Sequence, residues 1–319
     1  MKKKIILVLG DPNSINSEII FKSWKKINSS LKKRIYIISN YDLVLSQFKK
    51  LNYSLNCILV KDIYEKQNNK QLKIINVNLN FKKPFSIKKK EASKFVKNSL
   101  ILAHKLALDK NVIGIINCAI DKTLISKKNI GVTEFLANKC KIKKNREVML
   151  IYNKKLSVVP ITTHINIRKV SSNISKLIII NKIKTIKFWF NKNLKRNPKI
   201  AVLGLNPHNG EMRKGSEEIK TIIPALEKLK KLKIKIDGPL VADTIFVKNF
   251  KNYDVIVGMY HDQVLAPFKT LFKFEAINIT LGLKYIRLSP DHGTAIDLIG
   301  KNKANPTSLL KCINFIKQL

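Results

Sequence analysis

Short runs of apolar and β-branched residues alternate along this chain with longer stretches in which apolar residues return every three or four positions. The short runs are Ile5–Leu9, Arg34–Ile38, Asn56–Val60, Val112–Ile116, Val148–Tyr152, Lys199–Leu203 and Val255–Met259. Several have no polar face, as strands buried on both sides require. Helical spacing recurs over Ile15–Ile27, Lys90–Leu108, Val170–Phe190, Glu217–Lys231 and Pro306–Ile316. This alternation predicts an α/β protein built on mostly parallel strands. Asn68–Lys90 is polar and weakly patterned and reads as an exposed excursion. There is no internal repeat and no Pro/Gly/Ser-rich linker, so any division into two domains has the chain crossing between them more than once.

Composition narrows the class. With 319 residues, 45% of them apolar, the chain can bury one large or two medium cores, which excludes disorder. No stretch approaches the roughly 18 to 20 apolar residues of a membrane span. The apolar run after Met1–Lys4 is ended by Asp11 and Pro12, too early for a signal peptide, so a cytoplasmic location is expected. Cys57, Cys118, Cys140 and Cys312 share no short spacing, which argues against a disulfide framework or a thiolate zinc site; they read as small, reduced packing residues. The net charge of +41 raises nucleic-acid binding as a function of another class, a basic binder on an enzyme scaffold. However, the lysines are spread over the whole length, with only short clusters such as Lys2–Lys4 and Lys88–Lys90, and Ile and Asn are abundant too. A general compositional bias accounts for that pattern, and the basic field would still help capture an anionic substrate.

Four of the five histidines sit in polar, turn-like strings: Thr162-Thr163-His164, Asn206-Pro207-His208-Asn209-Gly210-Glu211, Tyr260-His261-Asp262-Gln263 and Asp291-His292-Gly293-Thr294. His104 lies inside a helical pattern and reads as a packing or surface residue. His208 and His261 closely follow expected strands, and His164 follows the apolar run Leu156–Ile161. Ligands collect beyond the carboxyl ends of parallel strands, so these imidazoles could converge on a catalytic metal with open positions. Each could equally be a hydrogen-bonded packing residue. The pattern predicts that a helix begins near Asp243, so that carboxylate could cap the helix, orient a ligand or take a proton. Asn278 lies in the apolar run Ile277–Leu281, where its amide needs a partner.

The strings Gly204-Leu205-Asn206-Pro207-His208-Asn209-Gly210-Glu211, Gly238-Pro239-Leu240-Val241-Ala242-Asp243-Thr244, Met259-Tyr260-His261-Asp262-Gln263 and Ser289-Pro290-Asp291-His292-Gly293-Thr294-Ala295 closely resemble the 4-hydroxythreonine-4-phosphate dehydrogenase family of pyridoxal phosphate biosynthesis. The resemblance runs from Gly10-Asp11-Pro12 to Asn305-Pro306. It implies two α/β/α domains of the isocitrate/isopropylmalate dehydrogenase type with a cleft between them. Residues 1–125 with 285–319 are expected to form the domain carrying the NAD adenosine loop, and 126–284 the domain carrying metal ligands and dimer contacts. The resemblance also implies a homodimer with the metal site near its interface and His164, His208 and His261 as ligands of a divalent cation (Zn, Mg or Co). Thr133, Lys269, Asn278 and Arg287 fall on positions that bind the phosphorylated hydroxy-amino-acid substrate, and Asp243 and Lys269 are the catalytic candidates. His292, Gly293, Thr294, Ala295, Asp297 and Asn305 fall on the loop for NAD, with NADP as the other option. The cationic, multi-donor groups of Lys269 and Arg287 suit a phosphate or carboxylate, although outside these motifs each would read as a solvated charge.

The reaction so implied is oxidation of 4-phosphooxy-L-threonine to 2-amino-3-oxo-4-phosphooxybutanoate, which decarboxylates to 3-amino-2-oxopropyl phosphate. Dehydrogenation of 4-phosphorylated threonate or erythronate is the alternative with the same chemistry. No G-x-G-x-x-G follows the first strand; Gly10-Asp11-Pro12-Asn13-Ser14 stands there, which disfavours an ordinary Rossmann site. The chain departs from the family pattern at Val132, where a substrate-contacting histidine is expected, and at Ala119, where a proline is expected, while Lys122 is kept. Asn13, Ser14, Asn16 and Ser17 replace the Gly-rich continuation after Gly10-Asp11-Pro12. Valine neither donates a hydrogen bond nor carries charge, so an altered or weakened phosphate site is expected.

Overall fold

The computed structural model describes residues 2–65, 71–126, 131–142, 146–273 and 275–319. Its strands are, in chain order, β1 (Lys4–Val8), β2 (Ile35–Ser39), β3 (Cys57–Val60), β4 (Leu72–Asn76), β5 (Val112–Asn117), β6 (Val148–Tyr152), β7 (Ser157–Pro160), β8 (Ile200–Leu203), β9 (Ile236–Leu240), β10 (Val255–Gly258), β11 (Ile277–Leu281) and β12 (Ile286–Pro290). Two compact units result: Met1–Lys141 with Leu283–Leu319, and Ile142–Gly282.

In the first unit the strand order is β3-β4-β2-β1-β5-β12, and every pairing is parallel. Residues Ile5–Val8 of β1 pair with Ile35–Ile38 of β2, and both runs are buried, which is why neither shows a polar face in the sequence. The helix Lys89–Ala107 turns Ala92, Phe95, Val96, Leu100 and Ala103 inward and packs against β1, β2 and β5. Burying a Phe or Leu of this kind contributes about 1.5–3 kcal/mol. Within the stretch expected to be an exposed excursion, Leu72–Asn76 is instead a buried strand; Asn68 to Lys70 lie outside the described residues. Lys73 hides the signal. Its stem is buried and its Nζ donates to the carbonyls of Lys32 and Lys33, both at 2.9 Å, so a charged residue occupies a strand interior. Burial lowers its pKa to about 8.

In the second unit the order is β11-β6-β7-β10-β8-β9. Here β6 runs antiparallel to both β7 and β11, while β7, β10, β8 and β9 pair in parallel. Val158, Ala201, Leu203 and Ile256 on these strands share one core with Val264 and Phe268 of the helix His261–Phe272. The helical pattern over Val170–Phe190 becomes α-helix only at Lys176, where Ser175 Oγ accepts from Ile178 N–H; two short turns, Ile167–Lys169 and Ser171–Asn173, precede it. Glu217–Lys231 divides into a wide turn, Glu218–Ile222, and the helix Ile223–Lys231, with Pro224 in the first turn, where a missing N–H costs nothing. Among the described residues no helix is long and apolar enough to cross a membrane.

Candidate active site

The candidate ligands are brought to one edge of the second unit. His164 follows the carboxyl end of β7, His261 that of β10, His208 that of β8 and Asp243 that of β9, and these are four successive strands of the parallel part of the sheet. The sequence places each residue after a strand; the strand order makes them neighbours. The His164 and His261 rings are 5.3 Å apart between centroids. Asp262 Oδ1 lies 2.6 Å from His261 Nδ1, which fixes that nitrogen as the donor and leaves Nε2 for a ligand, the usual outer-shell arrangement of a metal-binding imidazole. That donor chemistry suits a divalent cation. Among the described residues, no three His, Cys, Asp or Glu side chains form a group that could hold one ion. The structure thus joins His164 with His261 and sets His208 on the loop of the adjoining strand.

That loop is strained. His208, Asn209, Gly210, Glu211 and Met212 all have φ between 49° and 58°, the left-handed region, and His164 does too, at 47°. Each such non-glycine residue costs of order 1 kcal/mol or more and persists only where its surroundings hold it. The hold comes from Glu218, which is fully buried: its Oε1 accepts from Leu205 N–H at 2.8 Å and Asn206 N–H at 2.9 Å, and its Oε2 accepts from Asn206 Nδ2 at 3.0 Å. Glu217 Oε2 accepts from the same amide at 2.8 Å, and Glu217 Oε1 from Ser171 Oγ at 2.5 Å. Burial pushes the Glu218 carboxyl up, but the backbone and amide donors outweigh it and the net shift is downward. Sequence reasoning missed both residues. The available signal was two adjacent acids in a chain with 62 basic residues and only 21 acidic ones.

Asp243 is exposed and lies in the short helix Ala242–Thr244, whose N-terminal flank is Val241, so it does not occupy the capping position. Lys269 is exposed on the helix His261–Phe272, eight residues after His261 and so about 12 Å further along its axis. Asn278 stands opposite Ile151 in the β11–β6 ladder, and its buried Oδ1 has no partner among the described residues. A sequence-level demand for a partner is met here by an acceptor that a ligand could satisfy.

Two substrate candidates meet in the first unit. Arg287, on β12, is 3% exposed; its Nε donates to Asn117 Oδ1 at 2.7 Å and its Nη1 to Thr133 Oγ1 at 3.3 Å. Burial lowers its pKa to about 10, opposed by the nearby Glu134, so it stays charged at neutral pH. Glu134 Oε2 accepts from Gly131 N–H at 3.0 Å and so fixes the start of the helix Val132–Lys139, which carries Thr133. Val132 is the first residue of that helix. Asn117, at the end of β5, was not singled out for this part from the sequence. His104 Nδ1 lies 3.0 Å from Tyr285 Oη, in keeping with a packing role, and Cys118, Cys140 and Cys312 are buried free thiols.

The nucleotide candidates follow β12. Thr294 is anchored through its carbonyl, which accepts from Ile15 N–H at 3.2 Å. His292 Nδ1 lies 2.9 Å from the Gly293 carbonyl, so it must carry the hydrogen, and the buried Nε2 is a bare acceptor without a partner among the described residues. Open space surrounds the position a Cβ would take at Gly293, and Ala295 is left-handed at φ 44°. Asp297 is exposed, and Asn305 Oδ1 accepts from Thr307 N–H at 2.9 Å, which ties the far end of this segment to the helix Thr307–Gln318. A hollow beside Asn305 is lined by Lys22, Lys25, Lys26 and Lys303. Desolvation by burial lowers the His292 pKa, against the opposing Gly293 and Asp291 contacts. At pH 6.5, where an ordinary histidine is half protonated, His292 is therefore expected to be mostly neutral. An NMR titration of the ring checks this, and a midpoint above that of a histidine peptide would contradict it.

Comparison with known proteins agrees with a dehydrogenase of α/β architecture. The curated "4-hydroxythreonine-4-phosphate dehydrogenase" of Aquifex aeolicus is 40% identical over 324 residues, covering 100% of this chain and 99% of that protein. The protein of the same description from Sulfurihydrogenibium sp. is 39% identical, covering 97% of this chain and 96% of its own. The crystal structure of 4-hydroxythreonine-4-phosphate dehydrogenase from Klebsiella pneumoniae superposes with a TM-score of 0.86 at 29% identity, covering 100% of this chain and 99% of that one. Isocitrate dehydrogenase from Methylococcus capsulatus, at 12% identity and a TM-score of 0.50, shares the fold alone. The chain is a dehydrogenase. More particularly, it belongs to the family described as pyridoxal phosphate biosynthetic protein PdxA, whose model matches residues 28–316.

Proposed function

We propose that this enzyme oxidises the C3 hydroxyl of 4-phosphooxy-L-threonine with NAD as hydride acceptor, and that the resulting 2-amino-3-oxo acid loses carbon dioxide to give 3-amino-2-oxopropyl phosphate. The observation that carries the reading is the row of His164, His261, His208 and Asp243 at the carboxyl ends of four successive parallel strands, in a chain alike over its full length to proteins named for this substrate. His164, His208 and His261 would hold a divalent cation, which supplies Lewis-acid stabilisation of the negative charge that develops on the substrate oxygen. His292, Gly293, Thr294, Ala295, Asp297 and Asn305 would hold NAD, which would supply the hydride-accepting chemistry.

This chain's own groups do the rest. The Arg287 guanidinium, already oriented by Asn117 and Thr133, offers donors to the phosphate, and Lys269 adds a second cation. The unpartnered Asn278 Oδ1 suits a substrate donor such as the ammonium group, and the bare His292 Nε2 suits the amino group of adenine. The Asp243 carboxylate takes the C3 hydroxyl proton, and the Lys269 ammonium returns one to the carbon that the carboxylate leaves. Exposed Ile165 and Ile167 beside His164, and Met212 beside His208, support cover by a second copy, hence a homodimer with the metal near its interface. The lysine-lined hollow beside Asn305 also leaves a place for the 2′-phosphate of NADP.

The test is NADH formation from 4-phosphooxy-L-threonine, with 3-amino-2-oxopropyl phosphate identified as product. Turnover of 4-phosphorylated threonate or erythronate with none of the amino acid would overturn the substrate assignment. In the same assay Val132→His is expected to raise kcat/KM severalfold, because it restores a donor at the first turn of the helix that carries Thr133.

A further inference from the structure

Two of the candidate metal-binding arms hang on loops that no backbone hydrogen bond among the described residues joins beyond the strands, and one side chain spans them. Gln263, in the first turn of the helix His261–Phe272, accepts at Oε1 from Met259 N–H at 2.7 Å and donates from Nε2 to the Gly204 carbonyl, also at 2.7 Å. Met259 lies two residues before His261, and Gly204 opens the loop that leads to His208. The amide therefore links the carboxyl end of β10 to that of β8 just beyond the last paired residues, Val257 and Val202. Gly258 makes room for it: a Cβ there would meet Gln263 Oε1 at 2.8 Å and Val264 Cγ1 at 2.5 Å. On its other side the Met259 carbonyl accepts from Thr162 Oγ1 at 2.7 Å, two residues before His164, so the turn that bears His261 is tied to both neighbours.

We propose that Gln263 is a positioning residue for the metal site, which holds the His208 loop in register with the His261 turn. The proposal rests on the reading of these histidines as metal ligands. An amide suits the task because one end must accept and the other donate; a carboxylate would face the Gly204 carbonyl with a lone pair, and a thioether of similar length has no donor and only a weak acceptor. The strained left-handed run from His208 to Met212 makes the tether matter, since a loop held away from its preferred conformations relaxes when a restraint goes.

The test uses the full-length protein and Co²⁺ alone as probe, with affinity from calorimetry and site geometry from the visible absorption of bound cobalt. Gln263→Met is expected to weaken Co²⁺ binding about 10- to 100-fold, the range for loss of an outer-shell partner, and to change the cobalt spectrum. Binding of 5′-AMP, which needs only the first unit, is expected to be unchanged. Should Gln263→Met fail to fold, Gln263→Glu keeps the Met259 bond, loses the Gly204 bond and carries the same comparison. Wild-type cobalt affinity and spectrum in the folded variant would overturn the proposal alone. If the wild type binds cobalt no more tightly than His208→Ala does, the metal reading falls and the proposal with it.

Discussion

Arg287→Met is expected to lower kcat/KM for 4-phosphooxy-L-threonine at least about thirtyfold, because truncating one member of a buried, hydrogen-bonded charge arrangement costs about 2–5 kcal/mol and each 1.4 kcal/mol is a factor of ten. The residue is 3% exposed, and its guanidinium is aimed by Asn117 and Thr133. A phosphate that meets it therefore finds donors whose orientation has been fixed beforehand. Since the phosphate is remote from C3, part of that binding energy is used to align the reacting carbon, and kcat should fall as KM rises. Arg287→Lys is expected to rescue little. An ammonium keeps the charge but cannot bond Asn117, Thr133 and a phosphate in the fixed geometry of the guanidinium. Steady-state kinetics of both variants, beside unchanged 5′-AMP binding as a check on the fold, decide the matter; a variant with near wild-type kcat/KM would remove Arg287 from the substrate site.

Glu218→Ala is expected to be the most damaging substitution outside the candidate ligands. It orphans Leu205 N–H, Asn206 N–H and one Asn206 amide hydrogen, and buried donors left unpaired cost about 1–3 kcal/mol each. A total near 3 kcal/mol, at roughly 2–4 °C for each, lowers the melting temperature by about 6–12 °C. The pH dependence has a definite sign. The folded-state pKa values of Glu217 and Glu218 are lowered from the ordinary 4.5, so their contribution is complete above that value and is lost as pH falls through the lowered ones. Acid should therefore destabilise the wild type in this window more than Glu218→Gln, which cannot titrate. Thermal unfolding at a series of pH values measures both effects, and parallel curves for the two proteins would deny Glu218 its part.

Strands β1, β2, β5 and β10 were legible because buried parallel strands are unbroken apolar runs, and the helices Lys89–Ala107 and Thr307–Gln318 because their buried faces recur at helical spacing. Strands whose interiors carry a polar or charged residue were not. Lys73 disguises β4, Asn278 and Arg287 interrupt β11 and β12, and Asp237-Gly238-Pro239 makes β9 read as a turn. Nor does periodicity reveal that β6 runs antiparallel to both β7 and β11, since direction depends on which strands become partners. At the site, the strings around His164, His208 and His261 stood out because polar turns follow apolar runs. Glu218 and Gln263 did not, because a polar residue in a polar string looks solvated until the fold shows that its partners are backbone groups of another loop.

The order of the chain gives Arg287 a late place in synthesis. The second unit is one continuous segment, Ile142–Gly282, and it starts and ends on adjacent strands, with Val148 opposite Leu281. It can collapse while the ribosome is still at work. The first unit cannot finish in the same way: β5 emerges early, but its outer partner, β12, follows only after those 141 residues. Until then β5 presents an open edge of unpaired backbone groups, which a neighbouring nascent chain could also join. Arg287 is thus carried on the strand that closes this edge, so a chain released before β12 lacks both a complete sheet and the buried guanidinium proposed to meet the phosphate.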